Sequence, residues 1–428
     1  MNFYKASLFN LLASGFLSLI NMIIGIIEAR ILGPEELGRF QLFISTQTIV
    51  VTIFSFGIGQ ASIYFINKLK MPIEELLTTS IKCIIPLAIL SSSALFVLMH
   101  YWTEYWGEIY TPLLLLFTLG TFSTLFVLAM RPILLAKLQI KKNQFIQYIS
   151  SFFLLIAISL VFYNYKSISV DILLALIGVA NFVAACILFY FFRKIFNINK
   201  KINFVLFKRL VVLGIKLSGN NIAMILLTST PLYFISWMIN KESVGYFSRA
   251  TSILVMATFI CTSIGPLLYA KWTMVSEFEM RILVKKAAGV FMLINLGVGA
   301  IIFFFAPSIV NLLYGEAYTE TIPLVRILSL SLVFIGVKEI NYNILVSLGK
   351  AHLIFKNLMI SFVLLIILLF LFIPFGLKGS VWSVVISTII TTFMLSLDSK
   401  KVSIIKIKDF FYLMNYSEMM MMLNKIIK

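Results

Sequence analysis

The feature that most constrains this chain is a recurrence. Apolar runs of 18 or more residues follow one another from end to end, joined by short polar connections. A run of that length can cross a hydrocarbon layer roughly 30 Å thick as a helix. Within that layer every backbone N–H and C=O needs an internal partner, so only helices and closed barrels span it. A barrel strand would be short and alternating, whereas these runs are continuously apolar. Composition agrees. Only 12% of the residues are charged and 61% are hydrophobic, with a mean hydropathy of +1.03, against about 25% charged in a soluble domain. The expected fold class is all-α and polytopic. The first run is too long for a cleaved signal peptide, lacks a small-residue cleavage pattern, and is followed by further spans.

Twelve transmembrane helices are expected, at about 8–30, 37–66, 78–100, 111–136, 145–164, 171–192, 209–239, 247–270, 287–313, 322–347, 354–374 and 379–398. The longest internal polar stretch, Arg193 to Arg209, stands at the midpoint. With an even number of spans both termini share a side. The termini and the loops on that side hold 25 of the 35 basic residues, and the opposite loops hold six. Such a split places both termini in the cytoplasm. It also accounts for the net charge of +18. A basic surface for nucleic acid would not be scattered over seven short segments, so no nucleic-acid partner is expected; anionic membrane lipid is. Tyr101, Trp102, Tyr105, Trp106 and Tyr110 form an expected aromatic belt on the outer side. The tail after residue 400 reads either as an interfacial helix or as a frayed end.

The chain also repeats itself. Trp106-Gly107-Glu108-Ile109-Tyr110-Thr111 returns as Tyr314-Gly315-Glu316-Ala317-Tyr318-Thr319, 208 residues later. In nearly the same register Glu35-Glu36-Leu37-Gly38-Arg39-Phe40 lies over Glu242-Ser243-Val244-Gly245-Tyr246-Phe247, and Gly57 over Gly265. Each half holds six expected spans, so the halves are parallel repeats. Two six-helix lobes around a central cavity follow: residues 1–200, 201–400, and a cytoplasmic or interfacial tail, 401–428.

Two motifs carry a resemblance. Ala29-Arg30-Ile31-Leu32-Gly33-Pro34-Glu35-Glu36-Leu37-Gly38-Arg39-Phe40 resembles the A-R-x-L-G-P-E-x-x-G signature of Wzx-type polysaccharide-unit flippases. Tyr314-Gly315-Glu316-Ala317-Tyr318 with Pro323-Leu324-Val325-Arg326-Ile327-Leu328 resembles their G-x-x-Y-x-x-A-x-P-x-L-R-I-L element. These are O-antigen and capsule translocases of the multidrug/oligosaccharidyl-lipid/polysaccharide superfamily. The resemblance covers the whole chain in length, span number and repeat. It implies a fold like the multidrug-and-toxin extruders, a place in a bacterial cytoplasmic (inner) membrane, and a substrate of oligosaccharide on undecaprenyl diphosphate, flipped to the outer leaflet. It allows H+ or Na+ as coupling ion and the polysaccharide polymerase machinery as partner. Many such extruders couple through an acid inside span one; here that span has only Glu28, at its outer end. Two other functions stay open: a small-molecule or drug antiporter of the same fold, and an O-antigen polymerase, against which every outer loop is short.

A diphosphate moved through oil needs cationic, hydrated surroundings. Counting charges near the span ends with the loops, those left inside the expected spans are four basic (Arg131, Lys216, Arg326, Lys338) and one acidic (Glu339), a bias toward an anionic substrate over a cationic drug. Lys216, beside Ser218, Asn220 and Asn221, either meets the diphosphate-sugar headgroup or snorkels to the interface. Arg326 either receives the diphosphate late in the cycle or pairs with Glu316 or Glu320. Arg131 falls over Glu339 in the 208-residue register. The two either form a cytoplasmic gate, or Glu339 pairs locally with Lys338 while Arg131 meets a lipid phosphate. Arg30 either lines the outer cavity mouth, as the motif would allow, or belongs to a solvated turn at Gly33-Pro34. Asn21, Gln47, Gln60, Asn295, Asn341 and Asn343 are polar positions in spans, lining the cavity or bridging helices. The three cysteines suggest buried, inert thiols. No catalytic constellation, glycine-rich phosphate loop or metal site stands out, so neither an enzyme nor a cofactor is expected.

Overall fold

The computed structural model describes residues 3–102, 106, 109–137, 139–165, 168–272 and 275–412. Tyr105, Gly107, Glu108 and the Met419 to Met422 run lie outside the described residues. Among the described residues the chain is helical throughout: α1 Phe3–Phe54, α2 Ile58–Asn67, α3 Ile73–Tyr101, α4 Thr111–Ala136, α5 Ile140–Tyr165, α6 Val170–Phe192, α7 Phe204–Met238, α8 Lys241–Trp272, α9 Glu277–Tyr314, α10 Thr321–Ser329, α11 Leu332–Ser347, α12 Ala351–Phe372, α13 Gly376–Val402 and α14 Ile407–Phe410.

Every expected span falls on a helix, but the partition differs. α1 carries the first two expected spans. Gly33 inside it has φ 69° and ψ 174°, a left-handed backbone that suits glycine, and Pro34 follows with no N–H to give. The expected span 37–66 is cut at Phe56 (φ 45°) and Gly57 (φ 64°), which separate α1 from α2. The expected span 322–347 is a pair, α10 and α11, bent by 49°. By length and hydropathy, eight helical stretches among the described residues can cross a membrane, or nine if the bent pair counts as one. Two of the eight, Gly15–Phe54 and Ala351–Val402, have 40 and 52 residues. At about 1.5 Å per residue each reaches at least about twice the thickness of the hydrocarbon layer. Each holds a glycine at positive φ, Gly33 and Gly376. The chain is a multi-pass membrane protein.

The chain forms two compact units, Met1–Leu226 and Leu227–Lys428, and α7 runs through the division. In the first unit α4 is central. Its Leu125, Ala129, Met130 and Ile133 meet Ile81 and Ile84 of α3, Ile58 and Ala61 of α2, and Leu188 of α6. Where α4 crosses α6, Gly120 faces Gly178, and a Cβ on Gly178 would press into the Leu116 carbonyl. Bare backbones thus set that approach. The polar stretch after α6 is fastened to α3: Lys82 Nζ donates to the carbonyls of Ile198 (2.6 Å) and Lys200 (2.7 Å).

In the second unit, side-chain hydrogen bonds join the helices. Asn341 Nδ2 donates to Ser396 Oγ (3.0 Å), Asn357 Nδ2 to Asp398 Oδ2 (3.0 Å), and Thr391 Oγ1 to Ser361 Oγ (2.7 Å). Lys356 Nζ reaches the same Asp398 oxygen at 3.0 Å. The segment after α13 docks back on this unit rather than lying free. Ile405 and Phe410 are buried with Val284, Ala288 and Phe291 of α9 and Ile340 of α11. Arg281 Nε donates to Asp409 Oδ2 at 2.8 Å, and the same oxygen accepts from the Lys406 N–H. Burial raises the Asp409 pKa, but these bonds and the charges of Arg281 and Lys285 outweigh it and hold the carboxyl below its ordinary value.

Candidate functional site

In the first unit, Arg131 is placed by a proline. Pro132 offers no N–H to the Leu128 carbonyl one turn back. Gly59 of α2 lies against that turn; a Cβ there would stand 2.9 Å from Leu128 O and 2.7 Å from Pro132 Cγ. Arg131, half-buried beside this contact, has no hydrogen-bond or ion-pair partner among the described residues. Lys216 is placed by the break between α1 and α2. There α7 passes so close that a Cβ on Gly214 would stand 2.9 Å from Gly57 O, while Ser218 Oγ donates to Gly214 O at 2.8 Å. Lys216, two residues beyond Gly214, is exposed and likewise unpartnered among the described residues. Asn221 is exposed on α7. Asn21 is exposed on α1, its Oδ1 accepting from Ser151 Oγ of α5 at 3.0 Å. Arg30 is exposed just before the Gly33 turn, and in that turn Arg39 and Glu36 pair at 3.6 Å.

In the second unit, Glu339 of α11 accepts from Asn343 Nδ2 at 3.1 Å. Gly265 of α8 leaves room for this pair, since a Cβ there would stand 3.0 Å from Glu339 Oε1 and 2.8 Å from Asn343 Nδ2. The neighbouring Lys338 is half-buried, and no ion pair joins it to Glu339. Arg326 pairs with neither Glu316 nor Glu320; its Nε donates to the Phe303 carbonyl at 3.3 Å. Of the other polar positions, Gln47 Nε2 bridges to Thr121 Oγ1 (2.9 Å) and Asn295 Nδ2 to Cys261 Sγ (3.0 Å). Cys83 and Cys261 are buried, but Cys186 is exposed.

One residue that sequence reasoning left in a solvated loop belongs to the interior. Arg249 on α8 is only 4% exposed. Its guanidinium stands 5.9 Å from the Tyr314 ring, and Tyr318 packs on Tyr314 at 5.6 Å. The first unit has the counterpart. Arg39 Nε donates to the Trp106 carbonyl at 2.6 Å, and Trp106, also 4% exposed, packs on Phe43 at 5.1 Å. In each half the aromatic that opens the repeated hexamer is therefore buried against an arginine. Trp106 is not part of the aromatic belt, whereas Tyr101, Trp102 and Tyr110 are exposed. The register gave no signal for Arg249, which falls over Gln41 or Leu42 rather than over Arg39.

Comparison with known proteins now decides the family. Residues 4–268 match the family described as "Polysaccharide biosynthesis protein". The chain belongs to that family. It is 26% identical over 205 residues to "Capsular polysaccharide biosynthesis protein CapF" of Staphylococcus aureus, a match covering 46% of this chain and 52% of that one. The match thus spans about half the length of that curated relative. Among solved structures, the chain is similar to an inward-facing multidrug resistance MATE family transporter of the MOP superfamily. The TM-score is 0.74, with 16% identity, 90% of this chain and 94% of that one covered. It is similar also to the lipid II flippase MurJ in an inward closed conformation, with TM-score 0.73, 16% identity, and coverage of 94% and 89%. The chain shares the fold of these transporter structures.

Proposed function

We propose that this family member is a flippase that carries oligosaccharide repeat units on undecaprenyl diphosphate from the cytoplasmic to the outer leaflet of the bacterial inner membrane. In this reading the chain crosses twelve times, keeps both termini in the cytoplasm and works by alternating access. The observation that carries it is the pair of cations in the first unit. Arg131 and Lys216 lie in apolar helices without acidic partners among the described residues. A cation at a span centre costs about 2.5–3.5 kcal/mol on insertion scales, so it is kept where it meets an anion. A diphosphate is such an anion, doubly suited to a guanidinium fork and an ammonium. Asn221 and Asn21 supply amide partners of the kind that sugars need, and Arg30 sits at the outer turn.

Family membership and the fold shared with these transporters support the transport class. A strain lacking the chain tests the substrate. Accumulation of undecaprenyl-linked repeat units facing the cytoplasm is expected, with recovery on re-expression. Surface polymer shortened to single repeat units would instead point to a polymerase.

A further inference from the structure

Pro307 interrupts the hydrogen bonding of α9. It carries no N–H, so the Phe303 carbonyl four residues earlier loses its helical donor. Arg326 of α10 supplies the replacement. Its Nε donates to Phe303 O at 3.3 Å, and its guanidinium carbon stands 6.0 Å from the Phe303 ring centroid. That uses one of the five guanidinium N–H groups. The side chain is otherwise exposed, and no carboxylate is within ion-pair range among the described residues. Exposed apolar side chains lie close by in sequence: Phe304 (72%) and Phe305 (59%) follow Phe303 on α9, and Leu330 (48%) stands one turn along from Arg326. The result is a guanidinium fixed at one edge and open at the other, with exposed hydrocarbon close by in sequence, in a chain that crosses a membrane.

We propose that the open edge of Arg326 binds the phosphate of a membrane lipid. The ligand chemistry is a phosphate ester or diphosphate on a hydrocarbon chain. The planar fork takes two phosphate oxygens, and the exposed phenylalanines and Leu330 take the chain. The site needs only that the protein lies in a membrane, so it stands apart from the flippase reading. Neither half of the site recurs in the first unit, where the 208-residue register sets Thr118 and Met99 in the places of Arg326 and Pro307.

The test uses the full chain in a neutral maltoside detergent. It is titrated with phosphatidylglycerol and, separately, with undecaprenyl diphosphate, and lipid-induced thermal stabilisation is the readout. The wild type is expected to bind, and Arg326→Gln to bind about tenfold more weakly. Arg326→Lys, which keeps the charge but not the fork, falls between them. Pro307→Ala restores the helical donor to Phe303, releases the Nε, and weakens binding although the charge and the helix are intact. Weakening for both lipids assigns a general headgroup site; weakening for undecaprenyl diphosphate alone assigns the substrate's diphosphate. Wild-type affinity for both lipids in Arg326→Gln, or no binding of either by the wild type, overturns the proposal. Binding is read without transport. A failure of the flippase reading therefore shows separately, as absent translocation with this binding retained.

Discussion

The two halves keep the same aromatic–arginine fastening and differ elsewhere. In each, an arginine from the second expected span holds the aromatic that opens the repeated hexamer: Arg39 with Trp106, Arg249 with Tyr314. In each, a glycine of that span lies against the fourth: Gly59 on Leu128 and Pro132, Gly265 on Glu339 and Asn343. Beyond these points the interiors part. The first half brings helices together on bare backbone, as at Gly120 and Gly178, with Gln47 and Thr121 bridging α1 to α4. The second joins them by buried amides, hydroxyls and a carboxylate. In the duplication register Asn341, Asn357 and Asp398 stand over Ile133, Ile149 and Tyr190. What the difference teaches is where the charge is left open. The second half ties its acids locally, Glu339 to Asn343 and Asp398 to Lys356. The first half leaves Arg131 and Lys216 without a partner among the described residues.

The comparison breaks hardest at a glycine. Gly178→Ala forces α4 and α6 apart, and should lower stability by about 1–3 kcal/mol in thermal unfolding. Gly297→Ala, with nothing within 4 Å of its Cβ, should lose nothing. Equal effects would mean that close backbones do not hold the first half. In the second half, Asn357→Leu removes a buried donor to Asp398 and should cost about 1–2 kcal/mol. Stability unchanged there would reduce its polar network to decoration.

Smaller effects sharpen the shared fastening. Arg249→Met should cost about 1 kcal/mol and Arg39→Met less, since Arg249 is the more deeply buried. Increased protease cleavage near each hexamer is the local readout, and identical behaviour without cleavage would argue against a fastening by these arginines. The smallest effect is a pH dependence. The Asp409 carboxyl, held below its ordinary 3.8, adds stability above that value and loses it as pH falls through the lower, folded one. Docking of residues 405–412 should loosen only in that acid range. Asp409→Asn should abolish the pH dependence, as followed by hydrogen exchange.

Much of the fold was legible because bilayer crossing demands continuous apolar runs. Each expected span falls on a helix for that reason. Less legible was how those runs break. Hydropathy is blind to backbone, so the cut at Phe56 and Gly57 inside one apolar run passed unseen, and so did the bend between α10 and α11. The site was half legible. Lys216 and Arg131 stood out as lone charges in apolar sequence. Arg249 did not, because it follows the loop charges Lys241 and Glu242 in a stretch that reads as a helix start. Arg326 was expected to pair with Glu316 or Glu320. Its actual partner is a carbonyl released by Pro307, a rule readable in sequence only once α9 is known to pass beside α10.

The most direct measurement is translocation of a fluorescent oligosaccharide on undecaprenyl diphosphate across liposomes holding the purified chain. The account predicts transport by the wild type. It predicts an initial rate at least about tenfold lower in the double variant Arg131→Gln, Lys216→Gln, whose melting temperature should not fall, since neither cation has a partner to lose. Wild-type transport by that double variant would contradict it.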